Sequence, residues 1–182
     1  MAVAIQTLTR ICGNGNLPGT KAKLYLIGKD EILAWPTIGS GATYGIGKTL
    51  TTAWSLVTTA GLGYWRQFDI LVDTGAVNMQ IQGNVGSKYW KPQLEFFIEG
   101  MKKEQLQFGD DIVGDSGCLI GMIQLKDGTT LVLGDLENPL FVEAGEGGAK
   151  NEAVGIKYTL YYNNGKTPYI YNSGLAIKLT PN

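Results

Sequence analysis

Three stretches of the chain combine residue types that could do chemistry. In the first, Gly41-Ala42-Thr43-Tyr44-Gly45-Ile46-Gly47-Lys48-Thr49, glycines lead into a lysine and a threonine, the combination that cradles a phosphate with successive backbone N–H groups. That cradle needs four residues between its first glycine and the Gly-Lys pair, whereas five stand here. The following Leu50-Thr51-Thr52-Ala53-Trp54 is also a poor start to a helix whose N-terminus would face the phosphate, so nucleotide binding is not predicted. The second stretch is Asp73-Thr74-Gly75, placed after the apolar run Ile70-Leu71-Val72. Two aspartates held in this way can share a proton and activate water. The third is acidic: between Gln105 and Ala149, Asp110, Asp111, Asp115, Asp127, Asp135, Glu137, Glu143 and Glu146 meet only Lys126. Their spacing is not that of a calcium loop, and the plain reading is a solvated acidic face.

Ile70-Leu71-Val72-Asp73-Thr74-Gly75-Ala76 resembles the active-site loop of retroviral-type aspartic proteases, which implies a homodimer contributing one Asp73 per subunit. Ile112-Val113-Gly114-Asp115 imitates the later apolar-apolar-Gly segment of that family, but no glycine-rich flap stands between the two. An Asp-Thr-Gly turn closing a strand accounts for the same residues, since Asp caps turns and Gly tolerates positive φ.

The elements that would position these groups follow mostly a period of two. Lys21 to Ile27 alternates as a half-buried strand, and Ile32 to Trp35 and Phe68 to Val72 are short apolar runs halted by Pro36 and Asp73. Met79 to Gln82 alternates, and Tyr89 to Ile98 predicts a long strand whose regular part begins after Pro92. Met101 to Phe108, between Gly100 and Gly109, predicts the single helix. Cys118 to Leu125 and Thr129 to Leu133 flank Lys126-Asp127-Gly128 as a hairpin, and Gly155 to Tyr162 turns at Asn163-Asn164-Gly165 toward Pro168 to Tyr171 as a second. Leu175 to Leu179 ends the series. The expected fold class is mainly β: an antiparallel β-sandwich or barrel of about nine strands, with one flanking short α-helix and a long loop or arm.

That arm is residues 37–64, where Lys48 is the only charge among six glycines, threonines and apolar side chains. It is too apolar for a solvated linker, and loops of more than about 12 residues within a domain are functional or disordered. The expectation is an arm ordered by packing on a neighbouring subunit, with Tyr44, Trp54, Leu56 and Val57 at the contact.

Composition narrows the function. The 182 residues suit one domain, 1–182, and 15 basic against 16 acidic residues leave a net charge of −1, poor for a dedicated nucleic-acid binder. Histidine is absent, which removes imidazole bases, imidazole metal ligands and Ser-His or Cys-His nucleophile systems. Cys12 and Cys118 form no CxxC and read as unpaired structural thiols. No signal peptide or membrane span is expected; the weakly polar Leu50 to Leu62 falls far short of the ~20 residues a span needs. No catalytic residue, cofactor or metal is predicted.

The order of elements, from Lys23-Leu24-Tyr25-Leu26-Ile27 and Asp30-Glu31-Ile32 through Leu94-Glu95-Phe96-Phe97-Ile98, the helix, Ile123 to Gly134, Gly155 to Tyr162 and Pro168 to Tyr171, resembles tail tube-like structural proteins of bacteriophages infecting Bacteroidetes. The resemblance implies a virion protein of the tail or neck, made in the bacterial cytoplasm and assembled into rings of six or twelve copies through which DNA passes. Its partners would be itself and adjacent tail, neck or portal proteins, without a membrane. In such a ring, Asp110, Asp111, Glu143 and Glu146 are the candidate lumen charges, because acidic groups let DNA slide without sticking. A β-sandwich capsid decoration or binding module fits the same composition.

Overall fold

The computed structural model describes residues 20–71, 74–149, 154–163, 165–172 and 174–181. In chain order these form strands β1 (Thr20–Gly28), β2 (Ile32–Ala34), β3 (Thr49–Leu50), β4 (Ser55–Leu56), β5 (Arg66–Asp69), β6 (Ala76–Gln82) and β7 (Tyr89–Glu99), helix α1 (Lys103–Gly114), then β8 (Leu119–Leu125), β9 (Thr130–Leu133), β10 (Phe141–Ala149), β11 (Val154–Tyr161) and β12 (Tyr169–Tyr171). A six-stranded sheet runs β3-β12-β9-β8-β1-β5 and a four-stranded sheet β10-β11-β7-β6; β2 and β4 pair separately. The described residues are mainly β, with sandwich-like sheets, one short α-helix and no closed barrel among them.

The inner faces of the two large sheets meet in a core of Leu24, Leu26, Leu94, Phe96, Ile123, Leu133, Tyr158 and Leu160, to which α1 adds Ile112. The six-stranded sheet is covered on its other face as well, where Tyr25, Ile27, Ile120, Met122, Val132, Tyr169 and Tyr171 pack with Leu50 and Trp65. This corrects the half-buried reading of the first strand: Leu24, Tyr25, Leu26 and Ile27 are all buried, successive side chains entering opposite cores. The buried run Leu119 to Ile123 in β8 has the same cause.

The Lys126-Asp127-Gly128 hairpin forms as expected, with Gly128 at φ 93° and its N–H donating to the Leu125 carbonyl. The second expected hairpin does not. β11 pairs with β10 and β7, while β12 crosses to the other sheet beside β9 and β3. Asn164, between them in the sequence, lies outside the described residues, and Leu175 to Leu179 forms no strand among the described residues.

Two further boundaries move for identifiable reasons. β7 is regular through Pro92, whose carbonyl accepts from Tyr162 N just where β11 has ended. N–H and C=O of one strand residue point the same way, so the missing proline donor faces that vacated position and costs no ladder bond. Helix α1 runs past Gly109 to Gly114 because Phe108 and Ile112 both pack on the core. A Cβ on Gly109 would lie 2.9 Å from the Tyr158 hydroxyl, so this glycine serves close approach and does not stop the helix.

Candidate subunit interface

The segment expected to reach a neighbour folds onto its own chain. Trp54 meets Trp35 and Trp65 at ring-centroid distances of 5.0 Å and Tyr171 at 5.9 Å, filling the outer aromatic layer of the six-stranded sheet. Leu56 packs against the same layer, and Val57 is half-buried with its N–H donating to the Glu31 carbonyl. Trp54 and Leu56, two of the four expected interface residues, therefore pack within the subunit, and the cause is simple: a sheet with apolar residues on both faces needs a second lid. Tyr44 remains half exposed, on a turn.

Glu31, which sequence reasoning passed over, clips this segment down. Its Oε2 accepts from Gly63 N at 2.7 Å and its Oε1 from Arg66 Nη1 at 2.7 Å, with its backbone carbonyl taken by Val57. No local pattern marks Glu31, because its partners lie up to 35 residues away.

The phosphate-like stretch turns into a short 3-10 helix, Ile46–Lys48, and then into β3 and not an α-helix. Lys48 Nζ donates to the Thr167 carbonyl at 2.8 Å and sits 5.2 Å from the Tyr169 ring centroid; burial, aided by Lys166, holds its pKa below the ordinary lysine value. Asp73 lies outside the described residues; Thr74 beside it donates its hydroxyl to the Leu71 carbonyl at 2.6 Å. Ile112-Val113-Gly114 lies at the end of α1. Cys118 is an exposed free thiol and Cys12 falls outside the described residues. Among the described residues, no group of three or more potential ligands could hold a metal ion, and no helix is long and apolar enough to cross a membrane.

The acidic stretch is dispersed. Asp127 and Asp135 cap turns, accepting from Thr129 N at 2.8 Å and Asn138 N at 2.7 Å. Asp110 and Asp111 stand on α1, bordering a cleft of about 1260 Å³ against β1 and β5 that also holds Arg66 and Lys103. Glu143 and Glu146 stand instead on β10, so the four expected lumen charges do not share one surface. Chain proximity had grouped them, and the fold separates helix from strand.

On the outer face of the four-stranded sheet the charges are matched. A bulge between Val142 and Ala144 releases Glu143, which accepts from both Lys91 and Gln93 of β7, reaching across β11. Lys157 pairs with Glu95 at 2.6 Å and stands opposite Glu146. The hydrogen bond from Lys91 holds the Glu143 carboxyl below its ordinary pKa, and that from Lys157 does the same for Glu95. Glu99 shares this face, which thus carries Glu95, Glu99, Glu143 and Glu146 against Lys91 and Lys157 among polar Asn78, Gln80, Gln93 and Thr159.

Among the described residues, the two outermost strands of this sheet have no strand on one side: β6 pairs with β7 alone and β10 with β11 alone, with Val142 N at the start of β10 donating to Ser116 Oγ. On β6, Met79 and Ile81 are 49% and 56% exposed, although they share the face of Val77, which packs against the core. Neither edge carries a proline, and Glu146 on β10 is its outer-face charge beyond the bulge. Comparison of the chain with protein-family models, with curated proteins and with solved structures returns no match.

Proposed function

We propose that this chain is a structural subunit that joins copies of itself, edge to edge, into the ring or tube of a phage tail or neck, as its resemblance to tail tube-like proteins implies. The observation that carries the reading is the pair of edges on the four-stranded antiparallel sheet beside which no described strand lies. Its strands alternate in direction, so β6 and β10 run oppositely, and the β6 edge of one copy can continue the antiparallel order at the β10 edge of the next. This contact is heterologous, and heterologous contacts that close by rotation make rings.

Closure would turn the outer face inward, because the opposite face carries the six-stranded sheet and its aromatic layer. Lumen charges are then Glu95, Glu99, Glu143 and Glu146, with Lys91 and Lys157 held in ion pairs. Asp110 and Asp111, on α1, belong outside it. A slight excess of carboxylate over paired ammonium would repel phosphate and spare DNA any strong attachment.

Negative-stain electron microscopy with light scattering on the purified chain tests the proposal. Rings or tubes with a central hole are the expected result. A monodisperse monomer or a twofold dimer at high concentration would overturn it.

A further inference from the structure

We propose a single register for that edge contact, in which Met79 and Ile81 of one copy seat over Gly147 and Gly145 of the next; the inference rests on the edge-to-edge reading above. The direction of each backbone group fixes the first condition. In β7 the Phe97 carbonyl accepts from Leu71 N on the β6 side, and the Pro92 carbonyl accepts from Tyr162 N on the β11 side. Odd residues of β7 therefore point toward β6 and even ones toward β11. Carried through the observed registers, this leaves the backbone groups of Val77, Met79 and Ile81 facing outward from β6, and those of Gly145 and Gly147 facing outward from β10.

Side-chain direction supplies the second condition. Met79 and Ile81 lie on the inner face, in line with Val77, and Gly145 and Gly147 lie opposite the inner-face residues Tyr158 and Ile156. Paired residues of neighbouring strands share a face, so apolar side chains at alternate positions on one edge match alternate positions without side chains on the other. Tyr158 and Ile156 lean toward these glycines, a Cβ on Gly145 falling 3.7 Å from Tyr158 and one on Gly147 falling 3.0 Å from Ile156. The seated Met79 and Ile81 would thus close over apolar surface.

The ends of the strands choose among registers that satisfy both conditions. With Met79 opposite Gly147 and Ile81 opposite Gly145, Gln82 stands opposite Ala144, and β6 ends where the bulge at Glu143 interrupts β10. A shift of two residues one way sets Ile81 against the bulge; the other way sets Met79 against Ala149 and leaves Gly145 uncovered.

The register predicts that Gln80 and Glu146 form a pair without mutual hydrogen bonds, the closer kind, within disulfide reach. In the full chain carrying Cys12→Ser and Cys118→Ser, Gln80→Cys with Glu146→Cys should give a ladder of covalent oligomers on oxidation, and Asn78→Cys or Gln82→Cys with Glu146→Cys should not. As a second variant, Gly145→Val has room beside Tyr158 and should leave circular dichroism and thermal midpoint near wild type while raising the concentration for half assembly about tenfold or more. Rings without the Gln80–Glu146 ladder, a ladder from a shifted pair, or wild-type assembly of Gly145→Val would overturn the register and leave the ring standing. An absence of both rings and ladder would overturn both.

Discussion

Glu143 and Lys91 meet across the full width of the strand between them, and the Lys91 ammonium lies 4.3 Å from the centroid of the Tyr161 ring on that strand. A carboxylate from a bulge, an ammonium and an aromatic face thus neutralise one another on an exposed sheet. Removing the carboxylates should release the lysines. Glu95→Gln with Glu143→Gln is expected to leave stability within about 1 kcal/mol of wild type, as exposed pairs contribute little. Binding to duplex DNA should rise, with the slope of log K against log salt steeper by about 2 for two freed ammoniums, followed by fluorescence anisotropy.

The same pairs set an acid limit. Glu95 and Glu143 titrate below their ordinary values because Lys157 and Lys91 hydrogen-bond to them. The unfolded chain takes up these protons at higher pH, so the stability they contribute is present above the ordinary carboxylate range, about 4, and is lost as pH falls through the lowered values. Urea midpoints measured from neutral to acid pH should decline, and the doubly substituted Gln variant should decline less.

Trp54→Ala should cost about 3 kcal/mol in the monomer, because the indole is shared among Trp35, Trp65 and Tyr171. Deleting Leu50 to Leu62 should do worse, baring Trp65, Tyr169 and Tyr171 and yielding aggregated chain. Denaturant unfolding checks the first and size exclusion the second; a stable, soluble deletion would show that the aromatic layer is dispensable.

The Tyr158 hydroxyl is buried with no hydrogen-bond partner among the described residues, pressed toward Gly109. Tyr158→Phe should therefore stabilise by about 1 kcal/mol. Gly109→Ala alone should destabilise through collision with that hydroxyl, yet add up to about 1 kcal/mol in the Tyr158→Phe background, where helix propensity is free to act. A double-mutant cycle by urea unfolding reads the sign change.

What was legible in the sequence was local. Asp127-Gly128 announced its hairpin, and the alternation of Ile156, Tyr158, Leu160 and Tyr162 announced β11, because turn chemistry and a period of two are written in neighbouring residues. β10 was not legible: Gly145, Gly147 and Gly148 remove the apolar face by which a strand is recognised, and only pairing to β11 forms it. The helix was found but ended too soon at Gly109, whose reason lies on another strand. Trp54 shows in the sequence as apolar surface needing cover, and the fold supplies cover from Trp65 and Tyr171, which no local pattern brings near it. Of the four lumen candidates, Glu143 and Glu146 lie on the face that closure would turn inward, while the lysines paired with carboxylates there stand on β7 and β11, invisible along the chain.

The outer aromatic layer also has a consequence for synthesis. Trp65 donates its backbone N–H to the Lys178 carbonyl, and Leu50 in β3 is paired with Tyr171 in β12. Residues far apart in the sequence thus complete one surface. A nascent chain leaves the ribosome with Trp54 and Trp65 incompletely covered until β12 has emerged, and a chain cut short before Tyr169 can never complete that cover. Synthesis must pass Lys178 before this layer can close, so products terminated earlier keep apolar surface bare and are open to chaperones or proteases.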